Sequence, residues 1–227
     1  MGKLIVFEGT DGSGKSTQFR LLTERLQREG QAFHRLVFPR YSEESSALIR
    51  QYLRGDFGSS PDDVNAYAAS VFYAVDRYAS WKSDWEQAYR AGTPILTDRY
   101  TTSNAVHQGS KEPPERRTEF FTWLQDLEYE KLGLPKPDLV LWLDMPTQQA
   151  VQLLRSREQA TGTRADIHER DLAYLARCHQ AGTEAAAHYG WTVIPCTRDG
   201  QLRPAEQIHT EIYALVRAVL SSPSAAV

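Results

Sequence analysis

The sequence predicts a single α/β domain in three layers, a five-stranded parallel sheet flanked by helices. Three observations carry that expectation. Five short apolar runs that read as strands alternate with helix-patterned segments, the order a parallel sheet needs because each parallel strand requires a crossover. The strands run into loops rich in glycine, arginine and carboxylates, as expected where ligands gather beyond the C-terminal ends of parallel strands. At 227 residues the chain suffices for one well-cored domain and is short for two. The domain is expected over 1–220, with 221–227 (SSPSAAV) as a frayed tail.

Composition narrows the function classes. With 26 basic and 29 acidic residues the net charge is -3, which argues against nucleic acid or a membrane surface as the principal partner. A polyanionic ligand must then be met by locally placed arginines. Cys178 and Cys196 lie far apart without metal-ligand spacing, so they read as packing residues of a reducing cytoplasm, with no disulfide framework. Met1 leads directly into a strand, without the charged and apolar regions of a secretory leader. No apolar run approaches ~18 residues, so a cytoplasmic location is expected.

Taken in order, the first strand is the run Leu4-Ile5-Val6-Phe7, and a helix is expected from Thr17 to Glu29. Between them the chain reads Glu8-Gly9-Thr10-Asp11-Gly12-Ser13-Gly14-Lys15-Ser16-Thr17. From Gly9 to Ser16 it matches G-x-x-x-x-G-K-[ST] in the strand, loop, helix context that such a motif needs. Gly9 through Gly14 supply a concave row of backbone N–H groups, and the helix N-terminus adds its positive end. Lys15 is a mobile charge for β- and γ-phosphates, Ser16 the hydroxyl expected on Mg²⁺, and Thr17 stands behind it. This is the phosphate loop of a P-loop NTPase fold, with ATP and Mg²⁺ as the expected cofactors.

The second strand, Phe33 to Phe38, exits through Pro39, which holds the chain extended and presents Arg40 to a second phosphate and Tyr41 to a sugar edge. A helix follows from Ser45 to Arg54. Asp62 to Ala91 reads as one long helical stretch, broken or kinked, in which Tyr73 and Arg77 are four apart and share a face. A planar ring and a planar guanidinium there suit a planar base, whereas Phe72, pointing elsewhere, is assigned to the core.

The third strand, Thr93 to Thr97, ends in Asp98-Arg99-Tyr100. Asp98 is placed to orient a Mg²⁺-bound water and Arg99 to clamp an acceptor phosphate. Ser103 and His107 share a helix face, and Asn104 beside them suits a base or sugar edge. A helix is expected from Pro114 to Leu132, then a fourth strand from Leu139 to Leu143. Asp144 at its end competes with Asp98 for the metal role, but ranks lower because Met145-Pro146-Thr147 reads as a helix start that it would cap.

Helices from Thr147 to Arg157 and from Glu169 to Tyr189 flank a charged segment, about 155–170, whose arginines surround Thr161-Gly162-Thr163. A flap that closes over phosphates needs charge of this kind, and Arg164 and Arg157 are the expected inserted cations. The fifth strand, Trp191 to Pro195, leads to Cys196-Thr197-Arg198-Asp199-Gly200, where an adenine could rest against Arg198. A last helix is expected from Pro204 to Leu220.

These motifs together resemble the thymidylate kinase family. The resemblance rests on FEGTDGSGKST (Phe7 to Thr17), FPRY (Phe38 to Tyr41), FYAVDR (Phe72 to Arg77), DRYTTSNAVHQG (Asp98 to Gly109), LPKPDLVLWLD (Leu134 to Asp144) and RADIHERDLAYL (Arg164 to Leu175). They occur in family order and cover most of the chain through about Tyr189. The resemblance implies ATP-dependent phosphorylation of dTMP to dTDP in dTTP biosynthesis, a monophosphate-binding region at about 38–80 and a LID at about 155–170. It implies that Asp11 faces the acceptor nucleotide, that Arg40 and Arg99 hold its phosphate, that Tyr73 stacks on thymine and that Arg77 bonds the base's carbonyl edge. Asn104 would sit by the base and Tyr41 by the deoxyribose, with Ser103, His107 and Gln108 on the same acceptor side. Some members carry a catalytic arginine inside the phosphate loop; Thr10 to Ser13 contain none, so the chain resembles the type that carries it in the flap. Relatives are usually homodimers.

Two positions depart from the family pattern. His107 stands where many relatives have an aromatic near the sugar, and Ile167-His168 stands between Asp166 and Glu169 where an arginine often occurs. Because an acceptor phosphate is already an anion, the implied in-line transfer needs no strong general base, only positioning and neutralisation by Lys15, Mg²⁺, Arg99 and a flap arginine. Two rivals stay open on sequence alone: a deoxynucleoside kinase, with Glu8 in the slot for a carboxylate base, and a non-catalytic ATP-binding switch.

Overall fold

The computed structural model describes residues 1–161 and 172–222, for 157–161 as helix backbone only. Five strands form the sheet: β1 (Leu4–Glu8), β2 (His34–Val37), β3 (Ile95–Asp98), β4 (Leu139–Asp144) and β5 (Thr192–Pro195). All pair in parallel, in the order β2-β3-β1-β4-β5. The register sets Phe7 of β1 beside Asp98 of β3, and Glu8 beside Trp142 of β4, so the loops after β1 and β3 leave the same edge side by side.

Strand alternation divides the core. Ile5 and Phe7 point to one face and pack with Phe19, Leu22 and Leu26 of α1 (Lys15–Arg28) and with Ile208, Ile212 and Val216 of the last helix, Ala205–Ser221. Leu4 and Val6 point to the other face, into a cluster with Trp81, Trp85, Tyr89 and Tyr100. All five residues of β1 are buried. A strand apolar on both faces can be satisfied only in the middle of a covered sheet, which is where β1 lies.

Between β2 and β3 run α2 (Ala47–Arg54), α3 (Ala66–Ser80) and α4 (Glu86–Arg90). The long stretch expected over Asp62 to Ala91 is broken twice. Pro61–Asp63 forms a separate turn capped by Ser60, and Trp81–Trp85 relaxes to i→i+5 winding between α3 and α4. That widened turn places the rings of Trp81 and Trp85 4.5 Å apart, edge to face, in the core. Phe72 is a correction. It lies half-buried against Phe57, with ring centroids 5.8 Å apart, rather than in the core assigned to it. The face of α3 that enters the core is used by Ala66, Ala69 and Ala74, and its buried polar residues Asp76 and Arg77 turn toward the cleft described below.

Beyond β3 lie α5 (Thr102–His107) and α6 (Pro114–Gln125), the latter continued by a second i→i+5 segment, Asp126–Lys131. α7 (Thr147–Thr161) follows β4, and α8 (Leu172–Tyr189) precedes β5. Gly182 lets α8 lie directly on the sheet, since a Cβ there would come within 2.2 Å of the Trp142 ring. A small hairpin, β6 (Thr197–Arg198) and β7 (Gln201–Leu202), turns through Asp199 and Gly200, both at positive φ. Asp-Gly is the residue pair that such two-residue turns favour. The helix Ala205–Ser221 is α9. Among the described residues no helix is long and apolar enough to cross a membrane.

Candidate active site

The loop from β1 to α1 passes close under α7. Gly12 sits at φ +80°, and a Cβ on it would lie 2.3 Å from the carbonyl oxygen of Ala150, so both backbone conformation and space require glycine. Lys15 opens α1 and folds back, its Nζ donating to the Thr10 carbonyl at 3.3 Å. Burial and the neighbouring Arg99 push its pKa down, opposed by Asp11, Asp98 and Glu8. The hydroxyls of Thr10 and Ser13 are buried with no hydrogen-bond partner among the described residues. Ser16 and Thr17 are exposed in the first turn of α1, where backbone N–H groups lack intrahelical partners. The loop is a concave surface of donors and hydroxyls beside a buried ammonium, which suits phosphate oxygens.

Arg99 is the hub. β3 stops at Asp98, and Arg99 takes φ 68°, a left-handed conformation seldom adopted by a residue with a side chain. Its own N–H donates to the Phe7 carbonyl at 3.0 Å, tying the turn to β1. The guanidinium then reaches the oxygens around the phosphate loop. NH2 donates to Asp11 Oδ1 at 2.5 Å, and NH1 faces Glu8 Oε1 and Ser103 Oγ at 3.4 Å each and His107 Nε2 at 3.0 Å. A guanidinium has no acceptor, so Nε2 is the unprotonated ring nitrogen of His107. Burial works against the charge of Arg99, but Asp11, Glu8 and Asp98 outweigh it, and the group is held protonated more firmly than usual.

Glu8 is buried beneath this hub. Its Oε2 accepts from the hydroxyls of Thr102 at 2.7 Å and Ser103 at 2.6 Å, and its Oε1 from the backbone of Gly9 at 3.0 Å. From the far side, Tyr174 of α8 donates to the His107 carbonyl at 3.1 Å, and Cys178 Sγ lies 3.7 Å from Nδ1. Burial pushes the thiols of Cys178 and Cys196 up to about 12 each, so both are protonated at neutral pH and unreactive.

Two further arginines converge on the same edge. Arg40, after the cis Phe38–Pro39 bond, is fixed by Asp76 of α3, which accepts from its backbone at 2.9 Å and stands 3.4 Å from its Nε. Arg77, one helix position further, is buried and bound side-on by Glu128: Nε donates to Oε2 at 3.1 Å, NH2 to Oε1, and NH1 to the Tyr100 carbonyl at 3.3 Å. Asn104 Nδ2 donates to the Ser70 carbonyl at 3.1 Å and faces Glu128 Oε1 at 3.4 Å.

A cavity of about 690 Å³, counted to its open mouth, lies between these limbs. Asp11, Tyr41, Tyr73, Arg77, Arg99, Ser103, Asn104, His107 and Gln108, all expected from the sequence, line it together. Arg40 is not itself a lining residue but lies between Pro39 and Tyr41, which are, and Lys15 and Asp98 are near enough to Arg99 for their charges to act on it. Arg198 does not join them; it is exposed on the β6–β7 hairpin. Asp144, the second metal candidate, is paired with His179 of α8 at 2.7 Å. Arg164 and the side chain of Arg157 lie outside the described residues.

Three carboxylates that organise this site are absent from the expected set: Asp76, Glu128, and Glu8, which figured only as a rival enzyme's base. Glu8 and Asp76 leave a trace, one closing a strand just before Gly9, the other adjoining Arg77. Glu128 leaves none, since it is 51 residues from its partner and sits in a stretch that reads as solvated charge.

The comparisons agree in one direction. A family model described as thymidylate kinase matches residues 7–212. Among curated proteins, the chain is 32% identical over 190 residues to a thymidylate kinase of Mycobacterium tuberculosis (strain ATCC 25618 / H37Rv), covering 83% of this chain and 87% of the relative. It is 31% identical over 218 residues to one from Synechococcus sp. (strain RCC307), covering 95% and 96%. With the thymidylate kinase of Homo sapiens it shares 32% identity over 157 residues, covering 66% and 65%.

Proposed function

The chain belongs to the thymidylate kinase family, and from that premise we propose that it phosphorylates dTMP to dTDP with ATP at the edge where the phosphate loop, Arg99 and Arg77 meet. The observation that carries this reading is the placement of Arg99. A largely covered cation lines the cavity and also touches Asp11 of the phosphate loop, so one group neighbours both the acceptor side and the donor side. Arg40 adds a second cation near it, as an acceptor that already carries a phosphate demands.

The residues take the following roles. Gly9 to Ser13 wrap the ATP phosphates, Lys15 neutralises the β- and γ-phosphates, and Arg99 with Arg40 holds the dTMP phosphate in line for attack. Tyr73 stacks on the base, Arg77 and Asn104 read its edge, and Tyr41, Ser103, His107 and Gln108 border the sugar. Asp11 orients the acceptor. Arg164 or Arg157 brings the closing charge from the flap, and Arg198 lies toward the adenine. The hydroxyl of Ser16 and the carboxylate of Asp98 are oxygen donors of the kind Mg²⁺ takes, beside unpartnered hydroxyls in the phosphate cradle, and they would hold that ion. When bound, it supplies charge compensation for the triphosphate.

Glu8 bears on the nearest alternative, phosphorylation of a nucleoside hydroxyl. Such an enzyme needs a carboxylate poised to take a proton, whereas Glu8 is fully buried and both its oxygens are committed to Gly9, Thr102, Ser103 and Arg99. A coupled ADP-release assay offers dTMP and thymidine in parallel. Turnover with dTMP is expected to exceed that with thymidine by about two orders of magnitude or more. Equal or greater turnover of thymidine would overturn the reading.

A homodimer is part of the same proposal. On α3, Val71, Val75 and Tyr78 are 42%, 51% and 42% exposed, an apolar stripe at helical spacing on the side away from Arg77. A second copy of the chain is its proposed cover. The enzyme acts in the cytoplasm in this reading, where its nucleotide substrates are made.

A further inference from the structure

The two groups proposed to read the base share one buried partner. Glu128 lies in the i→i+5 segment that follows α6, and none of it is exposed. It grips Arg77 through two nitrogens and stands within reach of the Asn104 amide nitrogen. We propose that Glu128 is the positioning residue that makes the site select a keto pyrimidine, thymine or uracil, over the amino pyrimidine cytosine. This rests on the reading of the cavity as the dTMP site.

The argument is one of donor and acceptor polarity. A carboxylate only accepts, so any group facing it must turn its N–H toward it. For Asn104 this fixes the amide: Nδ2 is directed inward to Glu128 and to the Ser70 carbonyl, and Oδ1 is left for the cavity that Asn104 lines. For Arg77 the side-on grip and the Tyr100 carbonyl take one N–H from each nitrogen, leaving the remaining N–H groups of the terminal nitrogens for the cavity. The base therefore meets a donor from Arg77 and an acceptor from Asn104. Thymine offers the complement, a carbonyl oxygen at C4 and an N–H at N3. Cytosine offers the reverse, an amino group at C4 and a bare N3. It would leave a buried donor and a buried acceptor facing their like, with both pairings lost.

Glu128→Gln tests this, because glutamine keeps the shape but must set an N–H of its own against Arg77 or the Asn104 amide nitrogen, loosening the aim of both while the Ser70 carbonyl still accepts from Nδ2. The readout is the ratio of kcat/KM for dTMP to that for dCMP, with KM and kcat resolved separately. The ratio is expected to fall by about tenfold to a hundredfold, through a higher KM for dTMP and a relative gain for dCMP, with kcat for dTMP changed by less than about threefold. A general loss of packing would lower both substrates together and leave the ratio unmoved, and that result overturns the proposal. If the glutamine variant does not fold, Glu128→Asp, which keeps the charge but withdraws it by one methylene, is measured instead. A ratio equal to wild type there overturns it equally. Failure of the underlying reading would show differently, as absence of dTMP turnover in the unaltered enzyme.

Discussion

Arg99 illustrates how far a single residue can be held in place by its neighbours. It spends backbone strain at φ 68° to leave β3, and in return its guanidinium is oriented by two carboxylates, a hydroxyl and an imidazole before any nucleotide arrives. In the role proposed for it, Arg99→Ala removes a cation that faces the transferred phosphoryl group, and it leaves Glu8 buried without that cation. The expected result is a loss of kcat/KM of about 10²–10³-fold together with a lower melting temperature. Lys15→Ala should lose activity by a similar order, with a smaller thermal effect because its charge is already disfavoured by burial. Steady-state kinetics beside thermal melts would separate the two, and near wild-type kcat in either variant would sink its assigned role. The cations Lys15, Arg40, Arg77 and Arg99 were legible in the sequence because each stands in a local motif. The carboxylates that aim them were not, because Asp76 and Glu128 act at sequence distances of 36 and 51 residues and obey no spacing rule.

The elements were legible where one physical signal dominates. Apolar runs bounded by Gly or Pro placed all five sheet strands to within one or two residues. What periodicity could not register is a local change of winding. The segments Trp81–Trp85 and Asp126–Lys131 carry ordinary helical patterns, yet both open to i→i+5 turns, one to insert two indoles into the core and the other to bury Glu128. The β6–β7 hairpin has a local signal, Asp199-Gly200, the pair that favours a two-residue turn. Element packing makes its own prediction at Gly182. A Cβ there would meet three atoms of the Trp142 ring between 2.2 and 2.8 Å, and an indole buried in β4 cannot swing clear as a surface side chain would. Gly182→Ala gains helix propensity but must lift α8 from the sheet, for a net cost of about 1–3 kcal/mol and a fall in melting temperature of about 3–10 °C. Differential scanning calorimetry decides it, and a melting temperature at or above wild type would show that α8 shifts without penalty.

At the scale of the molecule, α3 has an inner and an outer side, and the order β2-β3-β1-β4-β5 is what brings its inner side to the site. Periodicity shows that strands exist but not which are neighbours; that β3 inserts between β1 and β2 follows from long-range packing alone. The insertion sets Arg99 against the phosphate loop and Arg77, from α3, against Tyr100. The outer side of α3 carries Val71, Val75 and Tyr78, large apolar groups that a monomer would leave in water. Burying such side chains is worth about 1.5–3 kcal/mol each when complete, enough for a self-complementary helix pair to contribute strongly to a two-fold dimer. Val75 is the most exposed of the three, so Val75→Asp sets two carboxylates near the symmetry axis at little cost to the fold of a single copy. Sedimentation velocity at micromolar concentration is expected to give a dimer for the unaltered chain and a monomer for Val75→Asp. Since the same helix presents Tyr73 and Arg77 on its other side, loss of the partner should also raise KM for dTMP more than it lowers kcat. A wild-type chain that sediments as a monomer, or a Val75→Asp variant that remains dimeric, would place the contact elsewhere or remove it.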